Sequence, residues 1–182
     1  DTTVYAKWIE KTDLGFTDVA DSSPFRAAIG WAVKEGITNG TSATTFSPGN
    51  TCTTAQILTF LWRANGSPNS NAACPASDVA ETSPFYKALC WANEKDLMTK
   101  GSGSTPCTRA AAVTYLWKLA GSPKMSVNSS FTDVPASADF AQAVAWAVEQ
   151  GVTNGVSASE FAPDSTCTRG QIMTFLYRNL LD

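Results

Sequence analysis

Two short segments place a cation where a helix should begin. Cys107-Thr108-Arg109 and Cys167-Thr168-Arg169 each set a Thr before an apolar helical run and an Arg in its first turn. The Thr hydroxyl suits an N-cap. The Arg opposes the positive end of the helix dipole, at a cost of roughly a few tenths of a kcal/mol. That placement makes sense where an anion completes it. The free N–H groups of a helix start and a guanidinium fork form a carboxylate site, because bidentate pairing suits a planar carboxylate. An internal ion pair to Asp18, Asp78 or Asp133 accounts for the same pattern, and both can hold in one cleft. Other chemistry is narrowed by what the chain lacks. It contains no histidine, which removes Ser-His-Asp and Cys-His catalysis, His-ligated zinc and imidazole switching. No Cys-x-x-Cys spacing occurs among its five cysteines, which argues against a metal site, and no cofactor is implied.

The elements that must position these residues are helices in pairs. In the first pair, helix A is expected to start at Ser23-Pro24, a good N-cap followed by a residue suited to the first helical position. Phe25, Ala28, Ile29, Ala32 and Val33 then mark one apolar face at i, i+3, i+4, i+7 and i+8. Gly36 supplies a left-handed terminator. Helix B starts at Thr53 with Gln56 at capping-box spacing, carries Ile57, Leu58, Phe60, Leu61 and Trp62, and stops near Gly66-Ser67-Pro68. No strand pattern of useful length competes, so the fold class expected is all-α.

The pairs recur three times. The first unit reads Phe16-Thr17-Asp18-Val19, Pro24-Phe25, Trp31-Ala32-Val33, Gly36-Ile37-Thr38-Asn39-Gly40, Phe46-Ser47-Pro48 and Thr51-Cys52-Thr53-Thr54-Ala55-Gln56. The third repeats it closely: Phe131-Thr132-Asp133-Val134, Trp146-Ala147-Val148, Gly151-Val152-Thr153-Asn154-Gly155, Phe161-Ala162-Pro163 and Thr166-Cys167-Thr168-Arg169-Gly170-Gln171. The second is degraded but legible in Ser77-Asp78-Val79, Pro84-Phe85, Trp91-Ala92 and Pro106-Cys107-Thr108-Arg109. Asp18 to Asp78 and Trp31 to Trp91 are both 60 residues; Asp78 to Asp133 and Trp91 to Trp146 are both 55. From its Trp to its helix-B cysteine the second unit spans 16 residues, against 21 in the others, and it lacks the Phe-x-Pro element. Its helix-A terminator is Asp96 rather than Gly, so a different local geometry is expected there. One pair of about 50 residues buries too little surface to stand alone, so three should share a core. The divisions expected are an entry helix over 1–13, then units over 14–68, 69–123 and 124–182.

Composition bounds the partners. The chain has 182 residues, 43% hydrophobic and 16% charged, with a net charge of −3. That is not a disordered composition. No Lys/Arg cluster offers a nucleic-acid surface. The longest strongly apolar stretch, 57–62, is broken by Thr59 and far short of the roughly 20 residues of a bilayer span, so no membrane insertion is expected. No signal-peptide hydrophobic region is present, so any export signal is expected to have been removed or to lie outside this sequence.

The Phe-x-Asp-Val start, the Gly-Ile-x-x-Gly turn, the Phe-x-Pro loop and the Thr-Arg helix start resemble the S-layer homology (SLH) motif, over about residues 14–182. Three tandem copies match the number usual in that family. The resemblance implies an all-α, pseudo-threefold bundle, monomeric, with each motif giving helices to a common centre. It implies a non-catalytic module that anchors an exported protein to a Gram-positive-type cell wall. The ligand implied is secondary cell-wall polysaccharide, pyruvylated acidic sugars included, held in grooves between motifs.

Asp18, Asp78 and Asp133 match the motif aspartate, which the resemblance implies contacts sugar hydroxyls; a cap or Asx-turn before helix A is the alternative. Trp31 falls about 130° from the centre of its helix's apolar stripe. Trp31, Trp91 and Trp146 therefore face another surface, where they pack between units or stack on a pyranose ring. Gly40 and Gly155 allow close backbone approach to a ligand, or serve a plain turn. The chain also departs from the pattern. Thr54 stands where the family has Arg. The acidic residue two positions on is Gln56, Ala111 and Gln171, and the early helix-A aromatic is Pro24, Pro84 and Asp139. One or two competent grooves are expected, not three.

Cys52, Cys107 and Cys167 hold the same place in each unit, just before helix B, whereas Cys74 and Cys90 have no counterpart: Gly30 and Ala145 match Cys90. Bridges Cys90–Cys107 and Cys52–Cys74 are open, as are reduced, buried thiols. Two other functions compete with wall anchoring. A glycosidase needs a close pair of carboxylates, and the sequence repeats only one Asp per unit. A protein-interaction or surface-layer assembly module would use exposed Trp and Tyr to grip a polypeptide partner.

Overall fold

The computed structural model describes residues 14–127 and 130–180. Six helices form its regular structure: α1 (Arg26–Lys34), α2 (Thr54–Ala64), α3 (Tyr86–Glu94), α4 (Arg109–Leu119), α5 (Ala141–Glu149) and α6 (Arg169–Leu180). Among the described residues extended backbone occurs only as isolated bridges, so the chain is all-α. The expected entry helix over 1–13 lies outside the described residues.

The second helix of each pair begins as its sequence dictates. Thr53 Oγ1 accepts from Gln56 N at 3.3 Å while Thr53 N donates to Gln56 Oε1 at 3.1 Å, a complete capping box. Thr168 and Gln171 repeat it. Thr108, with Ala111 where Gln would stand, keeps only the hydroxyl half. The first helices start two residues later than expected. Arg26 opens α1, and Ser23 caps the turn before it, accepting from Phe25 N. The turn at 24–25 delays the helix while holding the same apolar face inward.

Asp96 corrects an expectation. Its φ is +55°, in the left-handed region shared by Gly36 and Gly151, both at +69°. Leu97 N donates to Ala92 O at 2.8 Å, as Ile37 N does to Ala32 O and Val152 N to Ala147 O. The three first helices thus end in one Schellman geometry. Asp is among the residues that tolerate this conformation, and the Lys118 ammonium holds its carbonyl and carboxylate.

Packing is cyclic. Helix α2 lies against α3, α4 against α5, and α6 against α1, so the last pair closes on the first. Ile29, Ile57, Leu58, Leu89, Leu116, Ile172 and Met173 are fully buried in one continuous core. At its centre three short segments meet. Cys52 N donates to Cys167 O, Cys107 N to Cys52 O and Cys167 N to Cys107 O, each at 2.9 Å.

All five cysteines are free thiols, which corrects the bridges Cys90–Cys107 and Cys52–Cys74. Cys52 and Cys107 are held in the central ring, with their Sγ atoms turned to the carbonyls of Thr53 and Thr108. Burial pushes the Cys52 thiol up to about 12 and Cys167 up to about 11, so these are inert, protonated core groups.

Candidate functional site

The repeated Asp and Arg meet where one helix pair joins the next. Each Asp precedes a first helix, and its carboxylate crosses to the loop leading into the second. Asp18 accepts from Phe46 N at 2.8 Å and Ser47 N at 2.7 Å. Asp133 accepts from Phe161 N at 2.9 Å and Ala162 N at 2.7 Å. Asp78 accepts from Gly103 N, Ser104 N and the Ser102 hydroxyl. None of the three caps helix A, so the cap or Asx-turn alternative gives way to a loop clamp. The clamp has a conformational reason: Ser47 and Ala162 sit at φ +59° and +58°, a costly region for non-glycine residues. A charge-assisted bond to each of these amides holds it there.

The clamp sets the carboxylate's electrostatics. Slight burial raises the Asp18 pKa, but the Phe46 and Ser47 amides and the charge of Arg169 outweigh it, and the net shift is downward. Asp133 behaves alike with Phe161, Ala162 and Arg109. Asp78 is held well below the usual carboxylate range, first by the Ser102 and Ser104 hydroxyls and then by backbone amides.

Arg109 and Arg169 occupy the first residue of α4 and α6, as expected, but they turn inward and are only 5% and 3% exposed. Arg109 Nε donates to Phe161 O at 2.8 Å and Nη2 to Thr153 Oγ1 at 3.4 Å. Its guanidinium lies 4.9 Å from the Phe161 ring centroid and 5.5 Å from that of Phe175. Arg169 Nε donates to Phe46 O at 3.0 Å, and its guanidinium lies 4.7 Å from Phe46 and 5.4 Å from Phe60. Arg169 Nη2 is buried without a hydrogen-bond partner. Burial lowers both Arg pKa values, partly offset by the charge of Asp133 beside Arg109 and of Asp18 beside Arg169. Both remain cations, since arginine does not deprotonate in proteins.

Two expectations about these arginines are corrected. The ion pairs among the described residues are Arg26–Asp21, Lys95–Glu94 and Lys118–Asp96. Asp18 and Asp133 act on the guanidinium groups only through their fields, because both carboxylates are turned to loop amides. The helix-mouth amides are not free either. Arg109 N donates to Ser165 O and Ala110 N to Pro163 O; Arg169 N donates to Asn50 O and Gly170 N to Pro48 O. Loop carbonyls complete the positive helix start, and the guanidinium lies against two rings rather than being presented at a mouth.

Thr54 takes the Arg position at the third junction. Its hydroxyl donates to Thr105 O at 3.1 Å. Gly103 stands in the loop where Phe46 and Phe161 stand elsewhere, and Tyr115 replaces Phe60 and Phe175. The ring partners Phe60, Tyr115 and Phe175 escaped the sequence reading. Each lies seven residues after its capping Thr, so aligning the helices was the signal that would have found them.

The tryptophans divide. Trp91 and Trp146 are 1% and 5% exposed, core residues with no face for a sugar, which corrects the stacking reading for them. Chain segments lie over their helices: Ser70 Oγ donates to Cys90 O, Asn93 Nδ2 to Ala73 O, and Met125 N to Gln142 Oε1. Trp31 is half-buried and meets Tyr177 of α6 edge-on at 5.7 Å, packing between helix pairs. Gly40 and Gly155 are turn residues at φ +85° and +83°. A Cβ at either would lie 2.5 or 2.6 Å from a carbonyl oxygen, of Thr45 or Glu160, and 2.6 Å from Phe16 or Phe131. That close approach is to the chain's own backbone and rings.

Among the described residues no cluster of carboxylates and cysteines has metal-binding geometry. No helix among them is long and apolar enough to cross a membrane. The family model of the S-layer homology domain matches residues 15–57 and 130–173. No curated protein matches the chain.

Proposed function

Because the chain belongs to the S-layer homology family, whose domains anchor proteins to cell walls without catalysis and mark cell-surface proteins, we propose that it is such an anchoring module. In this reading it has three repeats about a pseudo-threefold axis, over 14–68, 69–123 and 124–182, and the second has diverged. It binds secondary cell-wall polysaccharide, with an acidic sugar, in the groove between neighbouring repeats. The cyclic packing of the helix pairs and the cyclic bonds at Cys52, Cys107 and Cys167 support the symmetry. In the same reading it is a monomer, since one copy of the chain supplies every contact of that ring, and it sits on the surface of a Gram-positive-type bacterium.

Arg169 carries the ligand assignment. A buried guanidinium nitrogen with no partner costs about 1–3 kcal/mol or more, and an acidic oxygen is the group that would relieve it. The cation lies beneath the 45–48 loop, beside exposed Asp18, whose remaining lone pairs suit sugar hydroxyls. Arg109 has spent the corresponding donor on Thr153, so the groove bearing Arg169 is the stronger of the two.

Sedimentation with purified cell walls tests the reading. Wild-type chain should co-sediment, walls chemically stripped of pyruvate should bind at least tenfold more weakly, and Asp18→Ala should weaken binding to intact walls. Equal binding to stripped walls would remove the acidic sugar. Binding that survives complete removal of the wall polysaccharide would favour a polypeptide partner instead.

A further inference from the structure

The five cysteines fall into two groups with different surroundings. Cys52, Cys107 and Cys167 form the central ring, all at most 1% exposed and bonded through their backbones to one another. The remaining two belong to the second helix pair alone. Cys90 lies on α3, and Cys74 lies on the segment that runs over α3 from the end of α2. Two hydrogen bonds bracket them: Ser70 Oγ to Cys90 O at 3.2 Å, and Asn93 Nδ2 to Ala73 O at 2.9 Å. Asn93 is three residues from Cys90 and so on the same helix face, while Ala73 adjoins Cys74. Cys74 Sγ is turned to the carbonyl of Ala76 at 4.0 Å, within that same segment. Cys74 is half-buried and Cys90 is 6% exposed. An odd total of five is then three structural thiols and one pair.

We propose that Cys74 and Cys90 are a modification site: they form a disulfide by exchange with an external disulfide, fastening the 69–76 segment to α3. The more exposed Cys74 reacts first. Its thiolate, having given its proton to water, attacks one sulfur of an external disulfide RSSR, forming Cys74–S–S–R and releasing RS⁻. Cys90 then loses its proton and attacks Cys74 Sγ. The second RS⁻ departs, and the two thiolates take up the two protons. The sum is RSSR plus two thiols giving one protein disulfide and two RSH. Two electrons pass from the protein sulfurs to the external disulfide, so no other oxidant is needed. The pair lies outside the groove assigned to the wall ligand, and the site stands whether or not that assignment does.

The full chain is incubated with oxidised glutathione, quenched with acid, and its free thiols are alkylated and mapped by mass spectrometry. The expected result is loss of two thiols, those of Cys74 and Cys90, in one crosslinked peptide pair. Cys52, Cys107 and Cys167 should alkylate only after denaturation. The oxidised chain should melt about 5–10 °C above the reduced one, and Cys74→Ser should abolish the rise while keeping a cooperative transition. Persistent glutathione adducts on Cys74, pairing of either residue with Cys52 or Cys107, or an unchanged thiol count would each overturn the proposal. If Cys74→Ser fails to fold, Cys90→Ala with the same thiol map decides it.

Discussion

Two junctions carry a buried arginine and the third does not, and the three differ as sets rather than as single residues. Where Arg109 and Arg169 stand, a loop phenylalanine and a helix phenylalanine both lie against the guanidinium. Where Thr54 stands, the loop residue is Gly103 and the helix residue is Tyr115. A buried cation is tolerable only with a carbonyl to bond and rings to face. Without the loop ring the arginine has no place, and a threonine and a tyrosine fill the position with neutral groups. The Asp clamp survives in all three, so holding the loop and holding the cation are separate tasks.

The largest expected effect comes from forcing the third junction to imitate the others. Thr54→Arg should destabilise the chain by about 3–5 kcal/mol, because it buries a charge with no ring on the loop side. Adding Tyr115→Phe should recover about 1 kcal/mol and no more. The missing ring cannot be restored simply, since even a Cβ at Gly103 would lie 2.7 Å from Val79 Cγ2 and 3.1 Å from Ala55 Cβ. Chemical denaturation of the two variants checks this. Full recovery in the double variant would show that Tyr115, not Gly103, keeps arginine out.

A smaller effect separates the two arginine junctions. Arg109→Ala should cost about 2–4 kcal/mol, losing a carbonyl bond, the Thr153 bond and two ring contacts. Arg169→Ala should cost about 1 kcal/mol less, because it also removes an unpartnered buried donor. It should also lose more wall binding than Arg109→Ala does. Urea denaturation and wall sedimentation on both variants give the comparison. Equal stability losses with equal binding losses would show that the unpaired nitrogen has no part in either.

Much of this was legible in the residues. Apolar residues at three- and four-residue spacing and Thr/Gln caps gave the helices, and the recurrence of Asp, Trp and Cys gave the number of pairs. Arg109 and Arg169 were correctly placed at first helical positions. Their orientation was not legible. A first-turn arginine faces out or in according to whether a carbonyl and an aromatic ring await it, and these come from a loop 52 or 123 residues away. Asp18 was equally ambiguous, since a carboxylate before a helix has local partners as well as distant ones. Trp91 was left between packing and stacking, because the periodicity of α3 cannot show the 69–76 segment lying over that helix.

The smallest effect concerns the Asp clamps under acid. All three carboxylates titrate below their ordinary value when folded. Their contribution to stability is therefore present above the unfolded value of about 3.9 and is lost as the pH falls through the folded one. The clamps should not release together. Asp78 has hydroxyl donors from Ser102 and Ser104 besides its amides, whereas Asp18 and Asp133 rely on amides and a neighbouring arginine's field. Carboxyl carbon resonances followed downward from pH 5 should show Asp18 and Asp133 protonating first and Asp78 last. Ser102→Ala with Ser104→Ala should bring Asp78 up towards the other two. If Asp78 titrates with or before them in the wild-type chain, the hydroxyl donors do not hold it, and the third junction's clamp works through its backbone alone.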